Sequence, residues 1–183
     1  MRRGKLFQVM GFGGFFSLVM VFCVFAEDLG MKKANEDWVY FSDQVMGGSS
    51  EGKAKVFFDA DEQFIRLQGN VTTANNGGFI QIRTSVSGLK EELNGVSLKI
   101  RGNGERYYVF IRTAGTVLPW QYYKADFPSK KEWAEIKLEF NKFVRSSAWL
   151  NKKIKPDSIK SIGIVAFGRD HNALIDVAYI QFF

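Results

Sequence analysis

The stretch FSDQVMGGSSEG, residues 41–52, gathers two acids, an amide, a thioether, two adjacent glycines and three serines in one short segment. Two readings stand for it. As a ligand loop, Asp43, Gln44 and Ser49 supply polar contacts, and Gly47 and Gly48 let the backbone come close to what is bound. As a structural connection, the glycines take unusual dihedrals, Met46 plugs one end of the fold, and Asp43 accepts hydrogen bonds from loop amides. The apolar centre of the segment and its lack of a partner base favour the structural reading. Ser50 and Lys53 also match a Ser-x-x-Lys spacing. That chemistry needs a helix-borne lysine and an oxyanion hole, whereas the flanks here read as loop and strand.

Other reactive groups are sparse. His171 is the single histidine, and the single cysteine, Cys23, lies in the apolar N-terminal run, so a zinc site of the usual kind cannot be built, and no Ser-His-acid set has sequence support. Within GRDHNA, His171 reads as a solvated turn residue between two strands. Asp170, Asn172 and Asp176, or separately Asp59, Asp61 and Glu62, offer oxygens to a calcium ion without matching a defined calcium loop. Glu51, Asp126 and Asp176 are candidate acids for a hydrolase, but spacing alone sets no two of them at catalytic separation. The expectation is a protein with no catalytic residues, no cofactor and no metal.

An aromatic and basic pattern points to binding instead. Tyr108, Phe110 and Arg112 share one face of a strand, Gln121 and Tyr123 alternate with Trp120 and Tyr122, and Arg83 closes NNGGFIQIR. On an open sheet face, such rings stack on sugars or on a partner's side chains while arginine and glutamine give directional hydrogen bonds. Arg83, Tyr108, Arg112, Gln121 and Tyr123 are the candidate contact residues. The competing reading sends most of these rings into the core. Arg83 and Arg112 are costly to bury unpaired and are expected at a groove.

The elements that would position these residues are strands. VSLKIR (96–101) and WAEIKLEF (133–140) alternate apolar and polar positions, and further strands are expected at 53–58, 63–71, 78–84, 106–113, 120–126, 159–167 and 174–182. Asn94-Gly95, Asn103-Gly104 and the Asp59 to Glu62 stretch mark turns between them, Asn103-Gly104 with positive φ angles. About nine strands without a helix of ordinary length predict an all-β antiparallel sandwich of the jelly-roll kind, in one domain spanning 27–183.

Residues 1–26 differ in kind. Arg2, Arg3 and Lys5 precede an uncharged run from Leu6 to Ala26, the pattern of a signal peptide cleaved after Ala26. The same run is long enough to remain as a membrane anchor, in which case residues 6–26 contact the membrane. Either way the domain is expected to be exported, to the periplasm or cell envelope. Those three basic residues carry half of the formal net charge of +6, which removes most of the case for a nucleic-acid partner. Asn70 opens an NVT acceptor pattern too common to carry a function, and Lys130, Lys131, Lys152, Lys153 and Lys155 make basic turns.

Trp38 followed by SDQVMGGSSEG, then NNGGFIQIR (75–83), RGNGERYYVFIRT (101–113), WQYYKADF (120–127) and Trp133, resembles the complex I intermediate-associated protein family. Its domain is similar to galactose-binding jelly rolls. The resemblance implies a β-sandwich without an established catalytic centre, in a family whose best-known members help assemble respiratory complex I. Those members work in the mitochondrial matrix, whereas the leader here directs the domain across a membrane. What the resemblance implies for this chain is therefore a mode of action: a protein-binding assembly or folding factor, with a carbohydrate-binding module as the alternative.

Overall fold

The computed structural model describes residues 32–33, 37–59 and 62–183. The leader expected at 1–26 lies outside the described residues. The strands are β1 (Lys32–Lys33), β2 (Val39–Ser42), β3 (Glu51–Asp59), β4 (Glu62–Val71), β5 (Phe79–Ser85), β6 (Gly95–Gly102), β7 (Arg106–Thr113), β8 (Tyr123–Pro128), β9 (Ala134–Glu139), β10 (Val144–Arg145), β11 (Ile159–Phe167) and β12 (His171–Phe182). They form two antiparallel sheets in a jelly-roll-like sandwich. The first runs β3-β4-β12-β6-β9 with β1 beside β12, and the second runs β10-β8-β7-β11-β5-β2.

Alternation explains which side chains meet between the sheets. Val96, Leu98 and Ile100 of β6 point inward, as do Tyr107, Val109 and Ile111 of β7 and Ile80 and Ile82 of β5. In β12 the phase changes: Ile175 and Val177 are buried, then Ile180 and Phe182, because the register with β6 shifts between Val177 and Tyr179. The bulge turns an odd series of inward residues into an even one and keeps the whole strand amphipathic. Tyr107 is fully buried yet satisfied, donating to Asn103 Oδ1 at 2.8 Å and accepting from the Leu174 N–H at 2.8 Å. Burial pushes its phenol up to about 12.

The outer face of the first sheet is held by charge. Asp176 is 1% exposed and lies in register between Arg66 of β4 and Arg101 of β6. Arg66 donates to both of its oxygens at 2.6 and 2.8 Å, and Arg101 Nε donates at 2.8 Å. The guanidiniums lie against aromatic rings, Arg101 4.6 Å from the Trp133 centroid and Arg66 5.0 Å from that of Phe57. This pairing makes Asp176 a structural residue rather than a calcium ligand or a hydrolytic acid. Among the described residues no group of acids, histidines and cysteines is arranged to hold a metal.

The structure departs from the sequence reading at several points. The strand expected from residue 120 begins at Tyr123, because the Gln121 side chain folds the preceding loop on itself and accepts from the Val117 and Leu118 N–H groups at 2.9 and 3.0 Å. Only Gly104 of the Asn103-Gly104 pair has positive φ, at 91°. His171 is half-buried rather than a solvated turn residue: it opens β12, its Nδ1 lies 2.8 Å from the Arg169 carbonyl, and its buried Nε2 has no hydrogen-bond partner among the described residues.

Replacing Asp176 with Ala leaves two partly buried guanidiniums facing each other across β12. Thermal and denaturant unfolding should show a loss of about 3–5 kcal/mol, as expected when one partner of a buried ion pair is removed. A loss below about 1 kcal/mol would show that the face is held by packing alone.

Candidate functional site

The outer face of the second sheet carries a groove of about 650 Å3. Register sets its floor. Phe110 of β7 is paired with Gly163 of β11, which is paired in turn with Arg83 of β5, so a position without a side chain lies between a ring and a guanidinium. A Cβ on Gly163 would meet the Ile82 carbonyl oxygen at 2.8 Å, and the backbone packing keeps this position bare. Phe110 stacks on Tyr122 at 4.1 Å with 11° between the planes, and Phe167 meets Phe110 edge-on at 5.4 Å.

One wall is the segment that follows β2. Residues Asp43–Met46 form a 3-10 turn closed by Gly47 at φ 87°, whose N–H donates to the Gln44 carbonyl. The Asp43 carboxylate is fully buried and accepts from the Ser50 N–H (2.9 Å), the Ser50 hydroxyl (2.5 Å), the Gly78 N–H (2.5 Å) and the Phe79 N–H (3.2 Å). The Ser50 hydroxyl accepts from the Thr72 N–H at 3.0 Å, which ties in the end of β4. Burial alone would raise the Asp43 pKa, but the hydrogen bonds from Gly78, Ser50 and Phe79 outweigh it and hold the carboxyl below its usual range. Gly48 and Gly77 pack on this carboxyl so closely that a Cβ at either would collide with it. The amides of residues 78 and 79 are thereby fixed to the turn, and Val45, Met46 and Phe79 are set along one side of the groove.

The opposite wall is the loop between β7 and β8. Arg112 donates to the carbonyls of Thr116 and Leu118 through one nitrogen and of Pro119 through another, at 3.0–3.2 Å. Thr116 Oγ1 accepts from the Thr113 N–H and donates to the Thr113 carbonyl. These bonds bring Pro119 and Trp120 to the rim, where the indole is largely exposed. Burial, and then the nearby charge of Arg83, lower the Arg112 pKa from its ordinary value.

The structure brings Arg83 and Arg112 together in the groove, as their cost of burial predicts. Tyr108 is on the same face but to one side, edge-on to Phe167 at 5.7 Å and beneath the Lys124 ammonium. Tyr123 and Gln121 face inward. Tyr123 is 2% exposed with its hydroxyl on the Asn151 carbonyl, and Gln121 organises the loop. Trp120 and Tyr122, the other half of that alternation, are the residues on the groove. In the FSDQVMGGSSEG segment the hydrogen-bonding role foreseen for Asp43 is present, but Met46 is no plug: it is 62% exposed on the groove rim. Gln44 is exposed, and Ser49 is exposed and accepts from Asn75 Nδ2 at 2.9 Å. Ser50 is fully buried, its hydroxyl engaged by Asp43 and Thr72, and is not presented to the groove. The contributions of Phe41, Val45 and Phe167 were missed, because each needs the sheet order to be known before it can be placed beside Arg83 and Phe110.

A family model described as Complex I intermediate-associated protein 30 (CIA30) matches residues 27–174. No curated protein matches. Among solved structures, the fold is similar to a family 11 carbohydrate-binding module from Clostridium thermocellum in complex with a β-1,3-1,4-mixed-linked tetrasaccharide, at 16% identity with a TM-score of 0.67, covering 84% of this chain and 94% of that one. It is also similar to the family 11 module of the cellulosomal cellulase Lic26A-Cel5E of the same organism, at 15% identity and a TM-score of 0.65, with the same coverage.

Because the Asp43 pKa is depressed in the folded state, its contribution to stability is present above the unfolded carboxylate value of about 4 and is lost as pH falls through the folded one. Urea unfolding between pH 7 and pH 2.5 should show stability falling on the acid side, with that limb flattened in Asp43→Asn. The variant itself should be destabilised by about 2–4 kcal/mol at pH 7, since an amide nitrogen then faces N–H donors. An unchanged acid limb in the variant would remove Asp43 from this role.

Proposed function

The chain belongs to the Complex I intermediate-associated protein 30 family, and from that membership we propose that it is a non-catalytic binding domain whose groove holds a protein partner. The observation that carries the reading is the composition of the groove. Its lining combines aromatic and aliphatic side chains with two guanidiniums and contains no carboxylate, thiol or imidazole. Apart from the Tyr122 hydroxyl, such a lining offers no group of the kind that commonly activates a nucleophile, and it is suited to desolvating and orienting what it contacts. The leader pattern is what favours the cell envelope for this work, and family membership supports an assembly or folding role.

A second reading, a carbohydrate-binding module, has one specific observation in its favour. The Phe110–Tyr122 stack and the exposed Trp120 offer ring faces on a fold shared with carbohydrate-binding modules. Against it, a sugar's hydroxyls need acceptors as well as donors, and the side chains of the lining that supply acceptor oxygens are the amides of Asn76 and Gln81 and the Tyr122 hydroxyl.

Photo-crosslinking residues introduced in intact cells at Trp120 or Met46 should yield adducts with one recurring protein. The same residue at Lys55, on the opposite sheet, should not. Equal adducts from Lys55, or none from the groove positions, would overturn the protein-binding reading. On a glycan array the chain is expected to be silent; binding that disappears in Trp120→Ala would put the second reading in its place.

A further inference from the structure

We propose that the partner enters the groove with a carboxylate-bearing segment flanked by apolar or aromatic residues, the carboxylate seating between Arg83 and Arg112. This inference rests on the protein-binding reading of the groove and specifies the chemistry of what is bound.

The argument starts from how this chain treats its arginines. Arg66, Arg101, Arg106 and Arg169 each meet a carboxylate. Arg145 is held by the carbonyls of Ala148 and Leu150. Arg83 differs from all of them: its guanidinium lies 4.5 Å from the Phe41 ring centroid and has neither a hydrogen bond nor an ion pair among the described residues. Arg112 is oriented by backbone carbonyls, which fix its plane but do not neutralise its charge. The two cations are near enough for Arg83 to lower the Arg112 pKa, and the groove lining offers neither a counterion.

Open to water, this arrangement is tolerable. Covered by a ligand, it is not, because an occupant that fills the groove strips solvent from two like charges. A neutral or basic occupant bears that penalty in full. An occupant with a carboxylate converts it into charge-assisted hydrogen bonds, made stronger by the aromatic walls that exclude water. The remaining lining then selects what flanks the acid. Phe110, Tyr122, Trp120 and Phe167 suit rings and aliphatic chains, and Met46 on the rim adapts to either. Acidic sugars would satisfy the arginines but leave most of their hydroxyl donors facing rings. The groove's volume of about 650 Å3 suits a short segment rather than a broad domain surface.

The test is a display library of random octapeptides panned on the purified full-length chain. Enriched peptides should carry Asp or Glu beside aromatic or aliphatic residues. A synthetic peptide from that pool should bind about tenfold or more weakly when its acid is changed to the amide, or when the chain carries Arg83→Gln. Its affinity should also fall as salt is raised. Among the described residues Arg83 makes no hydrogen bond and loses only its contact with the Phe41 ring, so the variant's Tm should fall by no more than a few degrees, and Trp120→Ala supplies an independent exposed change that should weaken the same peptide. Enrichment of neutral or basic peptides, or equal binding to Arg83→Gln, overturns the carboxylate assignment and leaves the protein-binding reading standing. A library with no enriched peptide overturns both, whether or not an oligouronate binds in its place.

Discussion

A single buried carboxylate organises the part of this sandwich that carries the groove. Asp43 is fully enclosed and accepts four hydrogen bonds from groups on both sides of the fold: Ser50 at the start of β3, and Gly78 and Phe79 at the start of β5. An ionised group withdrawn from water is tolerated only when its acceptor sites are filled. Any rearrangement of the 3-10 turn, the β3 entry or the β5 entry would leave it unsatisfied. The three segments therefore move together or not at all. Ser50 extends the constraint to the end of β4 through Thr72, so one residue couples the edge of the first sheet to the edge of the second. The groove wall of Val45, Met46 and Phe79 inherits its position from this joint.

The two outer faces show opposite treatments of charge. On the first sheet, Arg66 and Arg101 close on Asp176 beneath Phe57, Phe64 and Trp133, and the result is a neutralised, ring-covered surface. On the second, Arg83 and Arg112 lie among rings with no acid beside them in the lining. The same residue types thus build a finished face and an unfinished one. The difference rests on what register delivers: Asp176 sits directly between Arg66 and Arg101, whereas Gly163 precedes Arg83 in the row that begins at Phe110.

Much of this architecture was legible in the residues. Alternation in VSLKIR and WAEIKLEF placed β6 and β9 because each sends apolar residues to the core and polar ones to the outer face, so period two is visible without any knowledge of the partner strands. The short pairings at Lys32–Lys33 and Val144–Arg145 were not visible, since two residues carry no period. Nor was the phase of the β8 approach. Gln121 is polar and buried because two loop amides need an acceptor, a demand set by the 114–121 loop and not by strand alternation. That local hydrogen bonding inverted the expected faces, sending Tyr123 into the core and Trp120 with Tyr122 to the groove. Arg83 and Arg112 were found in sequence for a sound reason: an unpaired guanidinium resists burial wherever its strand happens to lie.

Gly163 limits how far the contour of this surface can be altered. The hollow beneath Phe110 is shaped by main chain, with the Ile82 carbonyl standing where a methyl group would have to go. Its depth therefore cannot be tuned by exchanging one side chain for another without disturbing the pairing of β5 and β11. Only the exposed fringe at Val45, Met46 and Trp120 leaves room to alter the contour without strain to the body.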